Sequence, residues 1–184
     1  MHGPLSAAWL LVALCAATGA YCLLRMRSGV EEQRHTAGGE ALMGFGMALM
    51  AVPAAVLTPP RWAWILYAVV FGAAALRALW ASRTGPAHHL HHLVGAFAMA
   101  YMALAMAARP AAHAHHGGGM GAPVLTGLLL VYFTAYVLWS GTRLVPVTAT
   151  AGAPASGGWG DRPELARACR LSMGIGMLAM LLAM

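Results

Sequence analysis

Six apolar runs partition this chain, at about residues 5–24, 39–57, 62–80, 88–108, 123–140 and 165–184, separated by polar or Gly/Pro-rich joints. A helix rises about 1.5 Å per residue, so the run at 88–106 is roughly 27 Å long, close to the hydrocarbon thickness of a bilayer. Only 9% of the residues are charged and 60% are hydrophobic, whereas a water-soluble domain carries about 25% charged residues. These observations predict an all-α fold: a polytopic membrane helical bundle of six transmembrane helices, arranged as three hairpins in a single domain over 1–184. There is no room for a sizeable soluble domain.

Charge sets the expected topology. Every basic residue is Arg, with no Lys, and Ile occurs only at Ile65 and Ile175; this bias suits a GC-rich bacterial genome. The formal net charge of +6 includes no basic cluster of the kind that grips nucleic acid. Nine arginines (Arg25, Arg27, Arg34, Arg77, Arg83, Arg143, Arg162, Arg167 and Arg170) fall on one set of loops and helix ends, and Arg61 and Arg109 on the other. The positive-inside rule then places both termini outside a bacterial plasma membrane. The first run lacks a basic residue before it and has Arg25 and Arg27 after it, which fits an uncleaved helix rather than a signal peptide.

The joints are legible too. Residues 25–39 read as a cytoplasmic loop with a short helical part, and Pro53 as a late kink in the second span. Thr58-Pro59-Pro60 makes a tight turn, followed by Trp62 and Trp64 at an interface. Residues 141–164 form a linker rich in Gly, Ala, Pro and Ser. Asp161 and Glu164 have capping-box spacing for the sixth helix. Cys15, Cys22 and Cys169 have no CxxC spacing and read as small reduced packing residues.

Candidate functional residues come from the second, fourth and sixth spans. At about 100° per residue, His88, His92, Gly95, Met99, Met102 and Met106 share one side of the fourth span. Met43, Met47 and Met50 form a like stripe on the second, with Glu40 a turn earlier. Met173, Met177, Met180 and Met184 form one on the sixth, preceded by Cys169. All three spans run from inside to outside, so the stripes overlap in depth: Met43 with Met173, Met47 with Met99 and Met177, Met50 with Met102 and Met180. The Met faces are expected to pack inward together, surrounded by the first, third and fifth spans.

Thioethers favour Cu(I) over harder ions, so the sharp reading is a copper-handling membrane protein. Its candidate metal ligands are His35, Glu40, Cys169, the stripes, the His88/His92 pair, and His113, His115, His116 and Met120 in a Gly-rich loop. Each has a plain counterpart. Methionine fills irregular gaps in packed cores, histidines tolerate the headgroup region, and Glu40 can cap a helix start or carry a proton. Glycines at 44, 46, 95, 174 and 176 let backbones approach. The competing reading is therefore a structural or accessory subunit whose Met faces only pack. Haem binding is a further alternative, weakened by the lack of a second histidine at mid-membrane. No nucleophile–base pair, phosphate loop or nucleotide fingerprint is present, so an enzyme is not expected.

His35 after the first loop, Met43-Gly-Phe-Gly-Met47-Ala-Leu-Met50 in the second span, and HHLVG with MAYM in the fourth form a pattern across nearly the whole chain. It resembles a family of small polytopic membrane proteins of unknown function from GC-rich Gram-positive bacteria. The resemblance implies a six-span α-helical fold and no particular activity. The HAHHGGGM loop has no match in it.

Overall fold

The computed structural model describes residues 3–27, 31–82, 88–108, 122–142 and 163–184. Their regular structure is helical throughout: α1 (Gly3–Arg25), α2 (Glu31–Ala51), α3 (Arg61–Ser82), α4 (His88–Ala107), α5 (Pro123–Thr142) and α6 (Pro163–Leu182). Proline marks several starts. α3 follows Pro60, whose carbonyl accepts from Ala63 N at 2.9 Å, and α5 opens on Pro123, with Thr126 N donating to Ala122 O at 3.1 Å. A first-turn proline sacrifices no hydrogen bond, because the first helical amides lack partners anyway. α6 opens the same way at Pro163 with Glu164 in its first turn; its expected capping partner Asp161 lies outside the described residues.

α2 departs from expectation at both ends. It begins at Glu31 rather than near residue 39, and it stops at Ala51 instead of bending through Pro53 to 57. The polar segment is compatible with helix, Arg34 lying 4.0 Å from Glu31 one turn earlier. At the other end Val52 N reaches back to Leu49 O at 3.4 Å. Pro53 has no amide to donate and disfavours helix at the residue before it, so it ends α2 rather than kinking it. With Glu31, Glu32, Arg34 and Glu40 in its first half, α2 is also less apolar than its neighbours. The other five helices are long and apolar enough to cross a membrane: Ser6–Arg25, Arg61–Ala81, Leu90–Ala107, Pro123–Thr142 and Glu164–Leu182.

The distribution of side chains is inverted relative to a water-soluble protein. Leu10, Leu76, Val124, Val131 and Leu138 are each more than three-fifths exposed, while Thr18, Arg25 and Glu40 are buried. In water such an apolar surface would drive aggregation; in hydrocarbon it is the lipid-facing surface. The protein is a multi-pass membrane protein by this pattern and by the length of its helices.

The helices gather into two compact units, Met1–Pro53 with Leu130–Leu182, and Ala54–Leu129 with Ala183–Met184. In the first, α1 and α2 form an antiparallel hairpin. Its tightest point is Gly44, where a Cβ would stand 2.9 Å from the Cα and N of Gly19 and 3.2 Å from Cys15 O. α6 lies against both α1 and α2, parallel to α2, since Glu40 pairs with Arg170 while Met47 lies beside Gly176. The expected third hairpin is thus not a pair packed along its length. α6 meets the second half of α5 at Gly174, beside Val137 and Tyr136, but its main partners are the first hairpin. The second unit pairs α3 with α4, and Tyr101 of α4 shares a 2.9 Å hydrogen bond with Thr126 at the start of α5.

Candidate functional site

The inward face of α1 carries Cys15, Thr18, Cys22 and Arg25 at intervals of three and four residues, so all four lie on one side of the helix. This line extends for about 15 Å, half the thickness of the hydrocarbon layer. Cys15, Cys22 and Arg25 are 2%, 0% and 1% exposed. The interior of α1, α2 and α6 is therefore a polar and sulfur-bearing seam inside an apolar shell.

At one end of the seam sits a charge cluster. Glu40 of α2 is fully buried, and both of its oxygens accept from arginines: Oε2 from Arg25 Nη1 of α1, and Oε1 from Arg170 Nε of α6 at 2.7 Å. Cys22 Sγ also donates to Oε2 at 3.7 Å. A buried carboxylate is costly unless it is paired and hydrogen-bonded; two guanidinium groups supply that pairing here. The cluster has two positive groups against one negative, with Arg170 partly exposed. It joins three helices and repels cations from that end of the seam.

One turn deeper are two hydroxyls. Thr18 Oγ1 donates to Leu14 O at 2.7 Å and lies 3.2 Å from Ser172 Oγ of α6, which in turn donates to Cys169 O at 2.8 Å. Beyond them come the sulfurs. A Cβ placed on Gly176 of α6 would lie 3.4 Å from Cys15 Sγ of α1, 3.7 Å from Met47 Sδ of α2 and 3.7 Å from Leu11 Cδ1. A thiol of α1 and a thioether of α2 thus both pack against the Gly176 position of α6, beside Leu11.

The methionine stripes of the first unit point inward as expected. Met43, Met47, Met173, Met177 and Met180 are buried, and Met50 is half-buried. Met47 of α2 lies level with Gly176 of α6. In the second unit Met99 and Met102 of α4 are buried, and His92 and Met106 are half-buried. His91 and His92 have ring centroids 6.2 Å apart. His35 and His88 belong to α2 and α4, but their side chains lie outside the described residues, as do His113, His115, His116 and Met120 entirely. Among the described residues, no three His, Cys, Asp or Glu side chains gather as a metal-binding group.

Sequence reasoning placed Glu40 and Cys169 near the seam but missed what surrounds them. In the sequence Arg25 and Arg170 read only as topology markers, although Arg25 is among the most buried of the described side chains. A signal was available. Arg25 continues the Cys15–Thr18–Cys22 face, so it belongs to the inner side of α1 rather than to a solvated loop. In the sequence Cys15 reads as a packing residue, and its place beside Gly176 of α6 depends on a three-helix crossing that no single stretch encodes.

No curated protein and no solved structure matches this chain. Residues 32–184, from the first turn of α2 to the final methionine, match the family described as a domain of unknown function, DUF5134. α1, with Cys15 and Arg25, precedes the matched region. The match spans well over half the sequence, and the chain belongs to the DUF5134 family.

Proposed function

We propose that this protein binds and handles a soft monovalent metal ion, Cu(I), in a bacterial plasma membrane, without catalysing a covalent reaction. The observation that carries the reading is the inward placement of Met43, Met47, Met173, Met177 and Met180 together with the buried Cys15 in one helical unit. Thiolates and thioethers bind Cu(I) in preference to harder cations. Lipid-facing methionines would have served as well for solubility in the bilayer, so their inward placement needs another reason. Packing alone supplies one, and it defines the competing reading of an accessory membrane subunit. In the proposed topology both termini are outside and the charge cluster of Arg25, Glu40 and Arg170 lies toward the cytoplasm.

The test is the metal content of protein purified under reducing conditions, set beside an unrelated membrane protein prepared identically. Copper retained well above that control is the expected result. Copper at the control level would discard the metal reading and leave the accessory subunit.

A further inference from the structure

The Arg25–Glu40–Arg170 cluster leaves both charge and hydrogen-bonding capacity unanswered among the described residues. Two guanidinium groups meet one carboxylate, so the three side chains together keep a net positive charge. Arg25 Nε is buried and has no hydrogen-bond partner, on a side chain only 1% exposed. Buried donors in native proteins are paired in the great majority of cases, and buried charge is heavily penalised unless it is answered. Both features point to a second anion beside Glu40. We propose that the cluster binds the phosphodiester of an anionic membrane lipid, with Arg170 as the contacting residue and Arg25 adding positive charge from behind. The site is separate from the methionine faces, and it does not depend on the metal reading.

Depth identifies the source of the anion. α1 has no charged residue before Arg25, α2 has none after Glu40, and α6 has none after Arg170. The three groups therefore stand at the level where three helices enter hydrocarbon, and the apolar span of α1 ends at Arg25 itself. Lipid headgroups line that boundary, and basic pockets between membrane helices there bind them. Of the three side chains only Arg170 is open to its surroundings, at 30% exposed against 1% for Arg25 and 0% for Glu40. A guanidinium carries five N–H donors in a fixed fork. Arg170 spends Nε on Glu40, and the Nη groups of the same fork remain as donors to a phosphate, whose geometry the fork matches.

Charge selects among phosphates. A phosphodiester carries one negative charge, which together with Glu40 brings the two arginines to neutrality. Free phosphate carries more than one near neutral pH and would leave the set negative. A zwitterionic lipid brings its own ammonium group, which cancels the attraction. Phosphatidylglycerol, with an uncharged glycerol headgroup, meets the requirement.

The experiment uses full-length protein stripped of lipid in an uncharged detergent and titrated with short-chain phosphatidylglycerol. Native mass spectrometry counts the bound lipid, and the rise in unfolding temperature gives the affinity. Short-chain phosphatidylcholine and inorganic phosphate are run as separate arms. Wild type should bind one phosphatidylglycerol saturably, with both other probes at least about tenfold weaker. Arg170→Gln should weaken that binding about tenfold or more, and Arg170→Lys, which keeps the charge but loses the fork, should fall between the two. Arg167 is exposed one turn nearer the start of α6, and Arg167→Gln should bind as wild type does. Equal binding of phosphatidylcholine, or no binding of phosphatidylglycerol, would overturn the proposal. Inorganic phosphate binding as tightly as the lipid would overturn the lipid assignment and make the ligand a free anion. An Arg167→Gln protein weakened as much as Arg170→Gln would reduce the effect to diffuse surface charge and overturn the site. If Arg170→Gln does not fold, Arg170→Lys decides, and wild-type affinity in that variant counts against the proposal.

Discussion

Arg170 Nε of α6 donates to Glu40 Oε1 of α2 across 2.7 Å, joining helices whose contacting residues are 130 positions apart in the chain. Arg25 of α1 occupies the other oxygen of the same carboxylate. One fully buried acidic group thus fixes the mutual register of three helices. In α2, the least apolar helix, Glu40 is turned inward and answered from both sides, while Glu31 and Arg34 nearer its start stay exposed.

Removing that carboxylate should be costly. Glu40→Gln leaves the Arg25 guanidinium buried without a counter-charge, and breaking a buried pair in this way costs about 3–5 kcal/mol. Arg170 is 30% exposed and can reach solvent when unpaired, so Arg170→Ala should cost less, about 1–3 kcal/mol. Thermal unfolding in detergent, followed by Trp fluorescence, measures both. A Glu40→Gln protein as stable as wild type would show that the cluster does not hold α1, α2 and α6 together.

The Gly19–Gly44 crossing makes a second, independent prediction. A methyl on Gly44 meets backbone atoms of Gly19 at 2.9 Å, and backbone cannot swing aside. Gly44→Ala should separate α1 from α2 at a cost of about 1–3 kcal/mol, the usual penalty for overpacking. At Gly19 the nearest atoms belong to the ring of Phe45, which is partly exposed and free to rotate outward. Gly19→Ala should therefore be the milder change. Equal destabilisation by the two would contradict the crossing described here.

Much of the fold was legible because it follows from hydrophobic length. Runs at 88–108 and 123–140 became α4 and α5 almost without adjustment. α2 was less legible because its helical start is polar, so hydropathy located only its apolar half. The partners of α6 were harder still. The sequence suggests a hairpin with α5, but the carboxylate of Glu40 and the small Gly176 face draw α6 to the first hairpin, and both are tertiary effects. For the candidate site, helical spacing identified Met47 and Met177 as inward. It could not identify Cys15, since a thiol among apolar residues looks alike whether it packs or faces another sulfur.

Arginine placement yields a topology prediction. Cysteines introduced singly on a Cys-free background at 141–164 should resist a membrane-impermeant maleimide in intact cells, and one added at either terminus should react. Labelling of the 141–164 segment from outside would invert the proposed orientation. It would also place the Arg25–Glu40–Arg170 cluster at the outer surface.

Methionine chemistry can be separated from methionine packing by leucine, which keeps volume and apolarity but lacks sulfur. Met47, Met99 and Met177 are at most 1% exposed, so each substitution tests an interior position. Volume-conserving exchanges of this kind cost under about 1.5 kcal/mol in packed cores. Met47→Leu and Met177→Leu together should leave expression and thermal stability close to wild type while lowering copper per purified protein. Met99→Leu, introduced alone and then in the triple variant, reports whether the buried sulfur of α4 contributes as well. His92→Ala, at a half-buried position on the same side of α4, should lower metal loading only if that stripe takes part. If the methionines serve packing alone, the triple variant matches wild type in both stability and copper. A clear fall in copper at unchanged unfolding temperature is the result that only a sulfur ligand role produces.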